Sequence, residues 1–218
     1  AQKILSESKF DAESLFAAKT MEEFTAKITE KQKADIAKLE AAKLDPNFVA
    51  LQKKAMETEM FQMKMYFGEK LKQQKLNNTQ APSFDYENHA GGKTKLEDLR
   101  GKYVYIDVWA TWCGPCRAEI PSLQKIEEKY HDKKIAFVSI SVDEQKDYEK
   151  WKKFVVEKQL GGIQLYADKN WMSDFIKAVG INSIPRFILI DPTGKVVNAD
   201  ADRPSNPKLQ EQLDALLK

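Results

Sequence analysis

The hydrophobic positions in the first third of the chain recur at helical intervals. Met21, Phe24 and Ile28 are separated by three and four residues, a spacing that places side chains on one face of an α-helix. A later stripe repeats the pattern at spacings of four, three, four and four, and its members are Met56, Met60, Met63, Phe67 and Leu71. We interpret this stripe as helix-packing core, with a soft, methionine-rich binding face as the alternative.

Two start signals divide this region into separate helices. Thr20 stands three residues before Glu23, which is the spacing of a capping box. Asp45 is followed by Pro46, an N-cap residue with proline in the first turn. The pattern therefore predicts an all-helical N-terminal domain, residues 1–78, with two or three helices packed as a hairpin or small bundle.

The pattern changes after the polar segment 77–82, which ends in Pro82. Apolar, β-branched and aromatic runs over residues 102–109 and 135–142 predict strands that are buried on both faces. The other predicted elements are helices over 113–130, 143–158 (with Asp143 as N-cap) and 170–179 (closed by Gly180), hairpin strands over 186–190 and 195–198, and a last helix over 208–218. This order predicts an α/β domain over residues 79–218, in which helices flank a central mixed sheet.

Composition and charge place the chain among globular proteins. Of its 218 residues, 42% are hydrophobic and 31% are charged. The formal net charge of +2 gives no strong basic field, which argues against nucleic acid as a partner. No apolar run approaches the ~18 residues of a transmembrane helix. Because the sequence begins at Ala1 rather than Met, we expect a leader that has been removed or that lies upstream.

The two cysteines offer the most direct chemistry in the sequence. Cys113 and Cys116, with Gly114 and Pro115 between them, stand where a predicted strand gives way to a helix. Unpaired N–H groups and the helix dipole favour a thiolate at Cys113, and Cys116, one turn deeper, can attack a mixed disulfide formed there. A loop this short gives little structural stabilisation. We therefore predict a redox-active Cys113–Cys116 disulfide and no further cofactor or metal.

The segments around the cysteines resemble the thioredoxin superfamily. The resemblance is greatest to its TlpA/ResA-like, AhpC/TSA-related branch of bacterial extracytoplasmic thiol–disulfide oxidoreductases. The matching segments are 81–84, 96–102, 104–121, 138–143, 184–185 and 187–194. The resemblance spans residues 79–218 and implies a thioredoxin-like fold there, with the helical N-terminal domain outside the match.

The resemblance implies a catalytic role for each of four residues. Cys113 matches the attacking cysteine and Cys116 the resolving one. Asp107, six residues before Cys113, matches a buried acid, whose pKa would rise and make it a proton acceptor for Cys116. Glu119, three residues after Cys116, matches an acid that tunes the dithiol, and two close carboxylates would titrate as a coupled pair.

The resemblance also implies a set of substrate-binding residues, namely Trp112, Gly114, Pro115, Ile184 and Pro185. Trp112 would cover the thiol at the surface. Pro185 matches a cis-proline opposite the dithiol, and the backbone of Ile184 would pair with an extended substrate like an added strand. Pro121 matches a kink-forming helix proline. The Gly-Pro pair between the cysteines favours a reductant over an oxidant.

These matches imply a thiol–disulfide oxidoreductase that reduces disulfides of extracytoplasmic proteins. The implied partners are protein disulfides, with the apocytochrome thiols of cytochrome c maturation among the candidates. An upstream thiol electron donor is also implied, and a membrane reductase is one candidate for it. The implied location is periplasmic or otherwise extracytoplasmic, and tethering to the membrane through a removed leader is one form this would take.

Other interpretations of the cysteine pair stay open. A zinc half-site would need further ligands, and the remaining candidates, His89 and His131, lack paired spacing. A peroxiredoxin-like thiol peroxidase would have threonine three residues before its reactive cysteine, where this chain has Ala110. A partner-binding adaptor would use the helical domain and carry a vestigial dithiol.

Overall fold

The computed structural model describes residues 12–218, with side chains from residue 14 onward. The first eleven residues of the predicted helical domain lie outside these described residues. The chain divides between Lys72 and Gln73 into two compact units, here called the helical unit and the sheet unit. The predicted domain boundary after residue 78 stays a prediction. Asn78 is the last residue before that predicted boundary, and its amide donates a hydrogen bond to the Val196 carbonyl of the sheet unit (2.7 Å).

In the described part of the chain, three helices precede the sheet: α1 (Ala12–Phe16), α2 (Met21–Ala41) and α3 (Pro46–Gln74). Both predicted start signals are confirmed. The Thr20 hydroxyl accepts a hydrogen bond from the Glu23 amide (3.1 Å), and Asp45 Oδ1 accepts from the amides of the first turn of α3. These side chains satisfy N–H groups that have no partner within the helix.

Phe24 of α2 and Phe67 of α3 form the centre of the helical unit's core. Their rings stack with centroids 4.0 Å apart, and both side chains are buried. Met60, Met63 and Leu71 pack against this cluster. Four of the five stripe residues, all except Met56, are therefore helix-packing core, as predicted.

Residues 12–218 contain one seven-stranded sheet with the order β2-β1-β5-β4-β3-β6-β7. The strands are β1 (Asp85–Asn88), β2 (Lys93–Lys95), β3 (Tyr103–Trp109), β4 (Ile135–Ser141), β5 (Ile163–Tyr166), β6 (Arg186–Ile190) and β7 (Val196–Asn198). The β3–β4 and β4–β5 pairs are parallel, and the other pairs are antiparallel. The predicted mixed sheet is confirmed.

The helices of the sheet unit are α4 (Gly114–Lys129), α5 (Tyr148–Glu157), α6 (Asp174–Val179) and α7 (Pro207–Leu216). Neighbouring residues of β3 belong to different cores, because side chains alternate between the two faces of a strand. Ile106 lies in a core that also holds Cys113 and Cys116, whereas Tyr105 lies in one shared with Leu209 of α7. Apolar packing on both faces thus surrounds the strand that leads to the cysteines.

Two predicted helices begin later than expected. Asp143 is not an N-cap: a short 3₁₀ turn over Gln145–Asp147 follows it, and α5 begins only at Tyr148. The reason is that its carboxylate is occupied by hydrogen bonds from Thr111. The predicted helix over 170–179 is a 3₁₀ turn, Asn170–Met172, followed by α6. Gly180, with φ of 73°, closes α6 as predicted.

Candidate active site

The two cysteines lie at the start of α4, shortly after the end of β3. Cys113 is the N-cap of the helix, and its Sγ accepts a hydrogen bond from the Cys116 amide (3.2 Å). The two sulfurs are bonded to each other, and the Cα atoms are 5.3 Å apart. Both cysteines are only 4% exposed. The sequence therefore brings the pair together as a disulfide, as predicted.

Local sequence explains why a helix begins at this point. Pro115 occupies the first turn of α4, where the missing amide hydrogen costs nothing because the first N–H groups have no helical partner. The Arg117 amide donates to the Cys113 carbonyl (3.1 Å). The helix continues through Pro121. Trp112, immediately before Cys113, is 52% exposed.

A buried carboxylate fixes the loop that carries Trp112. Asp143 Oδ1 accepts a hydrogen bond from the Thr111 hydroxyl (2.8 Å), and Oδ2 accepts from the Thr111 amide (3.0 Å) and the Ser141 hydroxyl (2.7 Å). Asp143 itself is 0% exposed. The only sequence signal for this contact is the position of Asp143 directly after a predicted buried strand, where the pattern predicts a helix cap instead.

Pro185 reaches the same edge of the sheet as the cysteines. β6 runs antiparallel to β3, and Arg186 pairs with Val108 near the end of β3. Pro185 directly precedes Arg186, and its peptide bond with Ile184 is cis, as the resemblance implied. Ile184 is half-buried and packs against the core that contains both cysteines.

Asp107 lies on β3, where it pairs with Ser139 of β4 and Phe187 of β6. The residue keeps some exposed surface, but its Oδ1 atom is buried and has no hydrogen-bond partner. Burial first, and then the charges of Glu127 and Glu119, raise the pKa of Asp107 to about 8. Burial and a raised pKa are what the sequence predicted for this acid.

Glu119 accepts hydrogen bonds from the loop that precedes α7. Its Oε2 accepts a hydrogen bond from the Ser205 amide and its Oε1 accepts from the Ser205 hydroxyl, both at 2.9 Å. Arg203 Nη1 lies 3.9 Å from Oε1. The charge of Glu119 raises the pKa of Asp107, but its effect is smaller than that of Glu127.

Glu127 is not among the site residues predicted from the sequence. This residue follows Cys116 by eleven positions, or three helical turns, so both side chains project from the same side of α4. Burial raises the pKa of Glu127 to about 7. The spacing of eleven residues was the available signal, although it does not tell which neighbours would cover the carboxyl group.

The described part of the chain contains no group of three or more His, Cys, Asp or Glu side chains placed to hold a metal ion. None of the helices in residues 12–218 combines the length and the apolar character needed to cross a bilayer.

A mixed sheet, a Cys-x-x-Cys disulfide capping the helix after its central strand, and a cis-proline at the same sheet edge define the thioredoxin-like thiol–disulfide oxidoreductases. Residues 78–199 match the AhpC/TSA family, and the chain belongs to this family. Its relatives place it in the TlpA/ResA-like part of the thioredoxin superfamily.

Three of these relatives illustrate the match. The thiol-disulfide oxidoreductase ResA of Bacillus thuringiensis subsp. konkukian (strain 97-27) is 31% identical over 150 residues, which are 68% of this chain and 84% of that protein. The solution structure of a Bacteroides vulgatus protein described as a thiol-disulfide oxidoreductase is 49% identical, with a TM-score of 0.57, and the match covers 64% of this chain and 90% of that one. A thiol-disulfide oxidoreductase from Bacteroides fragilis NCTC 9343 is 29% identical, with a TM-score of 0.57, over 64% of this chain and 100% of that one.

Proposed function

We propose that this oxidoreductase reduces disulfides of extracytoplasmic proteins through the Cys113–Cys116 dithiol. The observation that carries the proposal is the bonded cysteine pair at the N-terminus of α4, with the buried carboxyl group of Asp107 on the adjoining strand. The helix terminus favours a thiolate at Cys113 when the disulfide is reduced.

The reaction proceeds in two exchange steps. The Cys113 thiolate attacks one sulfur of the substrate disulfide, forms a mixed disulfide and releases the other substrate sulfur as a thiolate. The Cys116 thiolate then attacks Cys113 Sγ, which releases the second substrate thiolate and leaves the Cys113–Cys116 disulfide. Two electrons pass to the substrate, and an upstream thiol donor returns them to the dithiol.

Asp107 acts as the proton acceptor for Cys116 in the second step. A thiol has to lose its proton before it attacks, and Cys116 is too buried to give that proton directly to bulk water. A carboxyl group with a pKa of about 8 is close to the ordinary pKa of a thiol, so a proton moves between the two groups at little cost. Glu119 tunes the dithiol through its charge.

The substrate binds over the edge of the sheet where Pro185 and the start of α4 lie. Trp112 offers an exposed aromatic surface beside Cys113, and Gly114 and Pro115 leave the approach to its sulfur free of long side chains. The backbone at Ile184 and Pro185 pairs with an extended segment of the substrate. Because this contact uses backbone groups, it accepts many protein sequences.

We infer the partners and the location by analogy with the relatives. Two of the matched proteins are named ResA and, in Chlorobium tepidum, DsbE. By analogy with them we place the protein in the periplasm or another extracytoplasmic compartment, tethered or free. There it would reduce protein disulfides such as those of apocytochromes during cytochrome c maturation, with a membrane reductase as a candidate donor.

Insulin reduction driven by dithiothreitol tests the proposal. The Cys113→Ser variant should lose the activity, because no sulfur remains to attack the substrate. The Cys116→Ser variant should accumulate a mixed disulfide with insulin, visible on a non-reducing gel. Since these are the only cysteines in the sequence, the double Cys113→Ser/Cys116→Ser variant is the control that should trap nothing. Turnover by Cys113→Ser would refute the proposal.

Peroxide consumption separates this function from the thiol peroxidase alternative. Ala110 stands where such a peroxidase would have threonine, so the reduced protein should consume hydrogen peroxide no faster than a small dithiol does. Rapid consumption that depends on Cys113 would favour the peroxidase instead.

A further inference from the structure

A narrow cavity lies behind the disulfide, between α4 and the sheet. Asp107, Trp109, Cys116, Glu127, Gly161 and Gln164 are among its lining residues. The space available to the centre of a water molecule is about 10 Å³, which fits roughly one water. The Cys116 side chain and the carboxyl groups of Asp107 and Glu127 therefore surround a space that fits about one water.

Three buried polar atoms from the residues that line this cavity lack a hydrogen-bond partner: Asp107 Oδ1, Trp109 Nε1 and Gln164 Oε1. Gln164 and Trp109 are each at least nine-tenths buried. An indole N–H donates, while a carboxylate oxygen and an amide oxygen accept. One water can accept from the indole and donate to the two oxygens, which is the usual environment of a buried water.

The chain makes room for the Glu127 carboxyl group at this cavity. A Cβ atom on Gly161 would collide with Glu127 Oε2, and one on Gly162 would lie 2.8 Å from Oε1. Gly162 also has a φ of +62°, which disfavours other residues. Two consecutive glycines thus leave the space that the carboxyl group occupies, and Glu127 keeps part of its surface exposed.

The groups around Asp107 carry negative charge or none. Cys116, Glu119 and Glu127 come from α4, whereas Ser139 of β4 and Gln164 of β5 are neutral. No lysine or arginine is among the residues that line the cavity. Of the two neighbouring carboxylates, Glu127 has the larger effect on Asp107.

We propose that Glu127 is a positioning residue for the resolving step. Asp107 takes the proton from Cys116, and Glu127 passes it on to solvent. The Cys116 S–H bond breaks as the Asp107 O–H bond forms. Once Asp107 is protonated, a water in the cavity accepts this proton from the Asp107 O–H and donates one of its own to the Glu127 carboxylate, which releases it to bulk water. No electrons move in this relay. The proposal rests on the proposed function, because it needs Cys116 to be the resolving thiol.

The test compares Glu127→Gln with Glu128→Gln, its exposed neighbour on α4. The rate at which the reduced protein is oxidised by a small disulfide is followed by tryptophan fluorescence from pH 5 to 10. Removing the Glu127 charge should lower the pH midpoint of this rate by on the order of one unit. It should also slow the resolving step several-fold above the midpoint, whereas Glu128→Gln should leave the profile unchanged.

A second variant keeps the charge but moves it. Gly161→Ala should push the Glu127 carboxyl group toward solvent and shift the midpoint in the same direction, by less. In the Glu127→Gln background it should add no further shift, because the group it displaces has been neutralised. An additive effect of the two substitutions would overturn the proposal.

The outcomes separate this proposal from the proposed function. If the wild-type protein reduces insulin but Glu127→Gln has an unchanged pH midpoint, the relay is wrong and the reductase stands. If Cys113→Ser retains insulin reduction, the reductase itself is wrong. The infrared band of the protonated Asp107 carboxyl group, assigned with Asp107→Asn, checks independently that its titration moves in Glu127→Gln.

Discussion

Asp107 is an acid held inside the sheet unit, and its protonation links the redox chemistry to the stability of the fold. Its pKa rises from an ordinary value of 3.8 to about 8, first because of burial and then because of Glu127 and Glu119. Between these two pH values the folded protein binds a proton that the unfolded chain has released. The stability that this group contributes is therefore complete below about pH 4 and is lost as the pH rises through about 8.

The Asp107→Asn substitution should remove this pH dependence. We expect the Tm of the variant to exceed that of the wild type at pH 8, and the difference to shrink toward pH 5, with about 2–4 °C for each kcal/mol gained. All four tryptophans lie in the sheet unit, so fluorescence melting follows that unit. Asp132→Asn, at an exposed position, is the control. A Tm difference that is the same at both pH values would contradict the assigned titration.

Asp143 makes a different contribution, because its buried carboxylate is satisfied by hydrogen bonds. Asp143→Ala would leave the Thr111 amide and hydroxyl and the Ser141 hydroxyl without their acceptor. Orphaned buried groups cost about 1–3 kcal/mol each before relaxation, so we expect a loss of about 3 kcal/mol in the free energy of unfolding. Urea unfolding measures this loss, with the exposed neighbour Glu144→Ala as control. A change below about 1 kcal/mol would show that the contact does not hold the loop.

The sequence allowed part of this residue-level picture to be predicted. The bonding of Cys113 to Cys116, the burial of Asp107 and the cis bond before Pro185 followed from local pattern or resemblance. The Asp143–Thr111 contact and the Glu127 cavity did not, because each depends on which distant segment packs nearby. Glu127 has room for its partly buried carboxyl group because Gly161 and Gly162, from another part of the chain, lie beside it without a Cβ atom.

At the scale of elements, a helix cap depends on residues only a few positions apart, so it can be predicted directly from the sequence. The Thr20 hydroxyl caps α2 by accepting from the Glu23 amide, and Glu23 Oε2 accepts from the Lys19 amide (3.0 Å). Thr20→Ala should cost about 1 kcal/mol. Hydrogen exchange should become faster by roughly fivefold in the first turn of α2. Thr29→Ala, in the middle of the same helix, is the control, and equal effects of the two substitutions would rule out capping.

Elements with a strong local pattern were predicted well, whereas the strands β1, β2 and β5 were not predicted. β3 and β4 lie within one residue of their predicted bounds because each is a continuous apolar run. β1 and β2 were missed because the sequences Asp-Tyr-Glu-Asn and Lys-Thr-Lys show no apolar pattern. These strands form because each pairs with a neighbour in the antiparallel ladder, and pairing between segments is not visible in either sequence alone.

At the scale of the whole molecule, the chain joins a helical unit to a sheet unit that contains every residue of the proposed site. The Bacteroides fragilis structure is matched over its full length by 64% of this chain. That share is close to the part of the chain that lies in the sheet unit, residues 73–218. Its two apolar cores, which share β3, are also complete within residues 73–218.

A fragment of residues 73–218 should accordingly fold and reduce insulin. We expect kcat within about twofold of the full chain, because the cysteines, Asp107 and Pro185 keep all the neighbours described here. The same fragment carrying Cys113→Ser is the inactive control, and fluorescence melting confirms that the fragment is folded. If the folded fragment lost activity on insulin, the helical unit would have to contribute to the reaction itself. If activity on insulin is kept, any contribution of the helical unit lies in the choice of partner, as the adaptor alternative proposed for it.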